Sequence, residues 1–229
     1  MRYVIGDIHG NYQALKSLWS KLDFDYETDQ LICLGDYVDG HSDCIPVINH
    51  LIEVQEKSKI KPIYILGNHD VWLRDFFETK IPERHWLTQG GQVTFEAYNT
   101  TKLYGLEYED LIKKHHTFLK ELKPYAILED NYVFVHGGYY EQIPLEENPT
   151  DILLWDRALS AIARNRNITL KIGDKEITPK KVFIGHTAID RITGGMPLER
   201  NNLINLDTGA GGSGKLSAYC IETEEIFQS

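Results

Sequence analysis

Short apolar runs recur along the chain, and each ends in a polar cluster that begins with or contains glycine. The runs are Tyr3–Ile5, Leu31–Leu34, Ile63–Leu66, Tyr132–Val135, Val182–Ile184 and Leu203–Leu206. Each is too short for a helix and rich in Val, Ile, Leu or aromatic residues, which predicts buried strands. Helical patterns lie between several of them. Residues 11–22 place Leu15, Leu18, Trp19 and Leu22 on one face behind Asn11 as N-cap. Pro46 suits the first turn of a helix over 45–56, with Ile48, Leu51 and Ile52 facing inward. A short helix is expected over 71–77, an amphipathic one over 108–122 that stops before Pro124, and another short one over 156–164. The tail, 215–226, alternates and reads as closing strands. No repeat, low-complexity tract or Pro/Gly/Ser linker divides residues 1–229, so a single domain is expected. Strand–helix alternation followed by strand-rich sequence predicts a layered α/β fold with two sheets.

Composition narrows the class. At 229 residues, 42% hydrophobic and 25% charged, the chain has the balance of a globular protein, which excludes wholesale disorder. A chain this long buries roughly 70% of its unfolded surface and needs no disulfide or structural metal merely to fold. The formal charge of −10 argues against a coat on long nucleic acid or on an anionic membrane, and leaves local cationic sites open. Cys33, Cys44 and Cys220 form no C-x-x-C pattern, and Cys33 and Cys220 lie in apolar runs, as in a reduced, cytoplasmic chain. The N-terminus has no signal-peptide core, and no run approaches the ~18 apolar residues of a membrane span.

The clusters that follow the strands carry the chemistry. They are Gly6-Asp7-Ile8-His9-Gly10, Gly35-Asp36-Tyr37-Val38-Asp39-Gly40, Gly67-Asn68-His69-Asp70, His136-Gly137-Gly138 and Gly185-His186-Thr187. In layered α/β sheets, ligands bind beyond the carboxyl ends of the strands, so five such clusters read as one site. Asp7 and His9, two apart in an extended segment, would point to the same side and grip one cation. Asp36 offers a carboxylate that can bridge two metals, Asn68 a carbonyl oxygen, and His136 and His186 two imidazoles. An oxygen and nitrogen set without Cys suits manganese, iron, zinc or nickel rather than a thiolate-bound ion; manganese is the first expectation. Two such ions would sit about 3.5–4 Å apart, as in phosphoester hydrolases. His69, beside Asn68, is placed to protonate a leaving oxygen, and either Asp39 or Asp70 could hold its imidazole. Singly, each cluster has a plain reading as a turn or a helix cap; their order and number carry the argument.

These blocks resemble the signatures of the calcineurin-like metallophosphoesterases, and more narrowly the bacterial and phage type of the phosphoprotein phosphatase family. That type includes lambda-type serine/threonine phosphatases and diadenosine tetraphosphatases. The resemblance spans residues 6–209. It implies a four-layer fold, with a central two-sheet β-sandwich flanked by helices and two metals at its edge. It carries Asp7, His9 and Asp36 to the first metal, and Asp36, Asn68, His136 and His186 to the second. A metal-bridging hydroxide would be the nucleophile, His69 the general acid and Asp39 its partner.

The chain departs from the family at one point. The second block there continues Asp-Arg-Gly, with the Arg on phosphate, whereas Asp39 is followed here by Gly40, His41 and Ser42. Arg157 resembles the other phosphate-binding arginine of bacterial members and becomes the main candidate. His41 and Arg74 are further candidates, each equally readable as a surface residue. The stretch 86–92 with Gly90-Gly91 resembles one that flanks the family's pocket, and Tyr139 and Tyr140 are candidate pocket aromatics. Gly209–Lys215 nearly matches a P-loop, but Leu216 stands where Ser or Thr should, and a strand follows where a helix should, so nucleotide binding there is rejected. Asp207 is expected to fix that turn. His115 and His116 diverge by about 100° on a helix and make a poor metal pair. The expected function is hydrolysis of phosphomonoesters, with phosphoserine/phosphothreonine protein first. Dinucleoside polyphosphate or nucleotide hydrolysis is the alternative, and a metal-bound module without turnover comes last.

Overall fold

The structure, a computed structural model, describes residues 1–101, 105–173 and 177–229. Two five-stranded mixed sheets form its centre. The first runs in the order β10-β9-β1-β2-β3, from Ile226–Gln228, Ser217–Cys220, Arg2–Ile5, Gln30–Cys33 and Ile63–Tyr64. The second runs β4-β5-β6-β8-β7, from Tyr125–Ile127, Tyr132–Val135, Lys181–Ile184, Leu203–Asn205 and Leu198–Arg200. The strands that lead to the ligand-type clusters pair in parallel: β1 with β2, β2 with β3, and β5 with β6. Their carboxyl ends therefore emerge on one edge.

The period-2 alternation of these strands sorts the core into layers. Val4, Ile32, Phe134, Phe183 and Ile204 point into the space between the sheets, where Phe134 and Phe183 stack at 5.3 Å. Their neighbours Tyr3, Ile5, Leu31 and Cys33 turn to the outer face of the first sheet. There they meet α1 (Tyr12–Leu22), α2 (Cys44–Lys57), α3 (Asn68–Thr79) and α6 (Leu106–Glu121). Val133, Val135, Val182 and Ile184 pack outward against α7 (Thr150–Trp155) and α8 (Ala158–Asn165). The result is helix, sheet, sheet, helix, as expected. All three cysteines are free and buried. No helix among the described residues is long and apolar enough to cross a membrane.

Several local expectations hold closely. Asn11 caps α1, its side chain accepting from the Ala14 N–H at 3.0 Å. The tail forms β9 and β10, and residues 209–215 form a turn stitched by Gly214 N–H to Gly209 O, with strand β9 after it. Others differ. The third helix begins at Asn68 rather than at 71, because the Asp70 carboxylate accepts the Gly67 N–H at 2.9 Å and starts the helix three residues early. The helix expected over 156–164 is preceded by the separate α7. Asp156 lies between the two and caps α8 through the N–H groups of Ala158 and Leu159, which leaves Arg157 at the junction. Two edge strands, β4 and β7, and a helical stretch over 84–100 carry no sequence pattern strong enough to predict them. That stretch consists of α4 (Arg84–Trp86), a π-turn (Leu87–Gly91) and α5 (Gln92–Thr100).

Candidate metal centre and catalytic site

The site is built from the loops after β1, β2, β3, β5 and β6. The expectation that Asp7 and His9 share an extended segment is corrected. Strand β1 ends at Ile5, Ile8 turns into the core, and His9 takes a left-handed backbone with φ 51°. The N–H groups of Ile8 and His9 both donate to the Asp36 carbonyl, which folds this loop onto the next one. Asp36, Asp39 and His186 are also left-handed, with φ of 52°, 72° and 62°. Such backbone costs about 1–2 kcal/mol per residue and persists only where the surroundings hold it. Here cross-loop hydrogen bonds do so. The Asp70 carboxylate accepts the N–H groups of Asp36 and Tyr37 at 2.8 and 2.9 Å, along with that of Gly67.

The imidazoles are oriented from behind. His9 and His136 each direct Nδ1 at a backbone carbonyl, that of Val38 at 3.1 Å and that of Leu34 at 2.8 Å. This fixes Nδ1 as a donor and leaves Nε2 facing the site. His136 Nε2 lies 3.2 Å from Asp36 Oδ2 and 3.1 Å from Asn68 Oδ1, and His9 Nε2 lies 3.6 Å from Asp36 Oδ2. Among the described residues, two triads bring one donor atom from each member within 4.8 Å of one another. They are His9, Asp36 and His69, and Asp36, His136 and His186. Asp36 is common to both. Asp7 belongs to neither triad. Its Oδ2 accepts the His186 N–H at 2.8 Å, and its Oδ1 faces inward without a partner.

The unsatisfied atoms fit cations. Asp7 Oδ1 and His186 Nε2 are buried with no hydrogen-bond partner. Asp7 and Asp207 are both buried; burial pushes each carboxyl up, and Asp207 adds like charge to Asp7. Burial also acts on Asp36, but His136 and His69 outweigh it and hold that carboxyl well below its usual range. Burial pulls His136 down, yet Asp36 wins and raises it to about 10, whereas burial beside His136 pushes His186 down to about 3. Carboxylates crowded in a dry pocket, with imidazole nitrogens converging on them, are a donor set that divalent ions can satisfy.

His69 is held differently. Its Nδ1 meets Asp39 Oδ2 at 2.6 Å, and its Nε2 stands 4.0 Å from Asp36 Oδ2, at the mouth of the centre. Burial lowers its pKa, but Asp36 and Asp39 together raise it above the ordinary histidine value. Of the two carboxylates the sequence left open as its partner, Asp39 makes the contact and Asp70 is taken up by backbone N–H groups. Sequence reasoning missed two further groups on Asp39. The Trp86 indole donates to Oδ2 at 2.8 Å, and Thr94 Oγ1 accepts the Asp39 N–H at 2.9 Å. The Gly90-Gly91 pair was the available signal for this segment.

A cleft of about 390 Å³ opens over the centre, lined by His9, Asp36, His69, Arg157, His186 and Asp207. Gln89 and Gly90 form one side, and Gly40, Gly209, Gly211 and Gly212 contribute backbone. Arg157 donates through Nη1 to His186 O at 2.9 Å and lies 3.3 Å from Thr187 Oγ1. Asp207 fixes its turn by accepting the Gly209 N–H at 3.1 Å while also facing the cleft. His41 Nε2 contacts the Ala210 carbonyl at 3.1 Å and braces the glycine loop. Arg74 is turned to Asp75, and Tyr139 is buried in the core of the second layer. Neither lines the cleft.

Residues 2–203 match the family model described as calcineurin-like phosphoesterase. The chain belongs to this family. As a calcineurin-like phosphoesterase it is a phosphoester hydrolase, and the family works with two metal ions. It is similar to serine/threonine-protein phosphatase 2 of Escherichia coli (strain K12), with 30% identity over 96% of this chain and 92% of the relative. It is also similar to the symmetrical bis(5'-nucleosyl)-tetraphosphatase of Cellvibrio japonicus, with 26% identity over 99% and 97%. Among solved structures, a protein serine/threonine phosphatase from Saccharomyces cerevisiae shares the fold. It superposes with a TM-score of 0.63 at 15% identity, covering 100% of this chain and 79% of that one.

Proposed function

We propose that this phosphoesterase hydrolyses phosphomonoesters, with phosphoserine and phosphothreonine in protein as the leading substrate class. His69 as general acid carries the reading. Its Nδ1 is tied to buried Asp39 while its Nε2 stays free at the mouth of the centre. Asp7, His9, Asp36, Asn68, His136 and His186 would hold the metals, with manganese first. Bound there, two divalent ions supply a water nucleophile at neutral pH and positive charge for the phosphoryl oxygens. Arg157 binds a free phosphoryl oxygen. Water oxygen bonds to phosphorus as the ester P–O bond breaks, and His69 gives its Nε2 proton to the departing oxygen. The imidazolium is held by Asp39 before the step and returns to neutral after it.

A second reading, hydrolysis of dinucleoside polyphosphates, draws on the tetraphosphatase relative and on Gly40, which lines the cleft without a side chain. Side-by-side turnover of a phosphopeptide and diadenosine tetraphosphate with added Mn²⁺ separates the two. A higher kcat/KM on the phosphopeptide supports the first reading, and preference for the dinucleotide replaces it with the second. No turnover of either substrate or of p-nitrophenyl phosphate, across divalent metals, leaves a binding module.

A further inference from the structure

We propose that Trp86 is a positioning residue for the Asp39–His69 pair, acting through the shared carboxylate oxygen. This rests on His69 being the general acid. Asp39 is fully buried and its Oδ1 has no partner. Both side-chain contacts fall on Oδ2: His69 Nδ1 at 2.6 Å and the Trp86 indole N–H at 2.8 Å. A buried carboxylate held by one ring alone can turn about its last torsion and carry that ring with it. A second, rigid donor on the same oxygen removes that freedom. An indole suits the task because it donates and never accepts, so it cannot take the imidazole's proton.

The surroundings are built to keep the indole there. Trp86 is fully buried and packs against Phe76 at 5.5 Å. A Cβ at position 91 would stand 2.2 Å from the indole Nε1, so glycine is required at that position for this placement. The same segment clamps the Asp39 loop twice more. The Gly40 N–H donates to Gly90 O at 3.2 Å, and the Asp39 N–H to Thr94 Oγ1. Among the described residues no hydrogen bond or ring contact joins Trp86 to a metal-ligand candidate, and Trp86 does not line the cleft, so its route to the site is Asp39.

The test is Trp86→Phe in the metal-loaded enzyme, assayed on p-nitrophenyl phosphate, whose leaving group needs little protonation, and on phenyl phosphate, which needs it. The expected result is a kcat on phenyl phosphate reduced roughly 10-fold more than on p-nitrophenyl phosphate, with KM and metal content unchanged. In an Asp39→Ala background, Trp86→Phe should add nothing, because the acceptor that joins the two rings is gone. Equal loss on both substrates, or a further selective loss in that background, overturns the proposal. Should Trp86→Phe fold poorly, Gly91→Ala displaces the indole by another route and is held to the same outcomes. His69→Asn keeps the two claims apart. If its loss is equal on both substrates, the general-acid reading fails and takes this proposal with it. If its loss is selective and that of Trp86→Phe is not, only the Trp86 proposal fails.

Discussion

The backbone N–H of His186 donates to Oδ2 of Asp7 at 2.8 Å and joins the end of a strand in one sheet to the end of a strand in the other. One carboxylate oxygen thus serves the fold, and the other, Oδ1, has no hydrogen-bond partner among the described residues. A Cβ at Gly185 would meet that oxygen at 2.0 Å, so the loop approaches Asp7 only because residue 185 has no side chain. Asp7→Asn retains an oxygen for the His186 N–H and removes the charge. Thermal stability without metal should hold or rise, since the replaced carboxylate is buried beside Asp207, while the bound-metal count drops by one. Elemental analysis of the dialysed protein checks this, and full occupancy at unchanged affinity would contradict it.

Asp36→Asn should act on both metals, because Asp36 is the residue common to the two donor triads. Turnover should be abolished and both ions should bind weakly. Metal titration by calorimetry reads the outcome, and two ions bound normally with a normal rate would sink the bridging role.

Arg157→Ala should weaken phosphate binding while sparing the metals. Its guanidinium faces the cleft and is steadied by the His186 carbonyl. Loss of charge-assisted hydrogen bonds to a phosphoryl group costs ~1.5–3 kcal/mol, which should raise KM and the inhibition constant for inorganic phosphate together. Unchanged values of both would remove Arg157 from the phosphate site.

Gly40→Arg restores the residue type that the family carries, yet should not restore a family-like site. The backbone there is left-handed, with φ 74°, and a Cβ would stand 2.9 Å from the Gly211 carbonyl oxygen. Strain of about 1–2 kcal/mol is expected in the melting curve. An unchanged melting temperature with a lower KM would show that the loop adapts to the arginine.

His115 gives the fold a pH dependence outside the site. It is buried between the Tyr98 hydroxyl at 2.6 Å and Asn49 Oδ1 at 3.1 Å, an arrangement that suits a neutral ring. Burial, with Lys114 adding, pushes its pKa down from 6.5 to about 4. The unfolded chain therefore binds a proton that the folded chain refuses. The stabilising contribution is complete above pH 6.5 and is lost as pH falls toward 4, by no more than about 3 kcal/mol. Urea unfolding between pH 7.5 and 4.5 should show a limb in the native protein that His115→Gln lacks. Identical pH slopes would place the titration elsewhere.

The sequence by itself determined the layers and the identity of the chemistry. Val4 and Ile5, or Phe134 and Val135, alternate between two cores because successive side chains on a strand face opposite ways, and that period is written locally. Parallel strands then carry their polar ends to one edge, so Asp36, Asn68, His136 and His186 meet although no short segment contains them. What only the tertiary structure decided is which atom faces which. The left-handed turn at His9, the choice of Asp39 over Asp70 beside His69, the turning of Asp7 toward His186, and the indole of Trp86 on Asp39 all depend on contacts between residues far apart in the chain. Such contacts leave no periodic trace, because a hydrogen bond constrains two positions only after the sheets have brought them together. Residue type is set along the chain, whereas orientation is set across it.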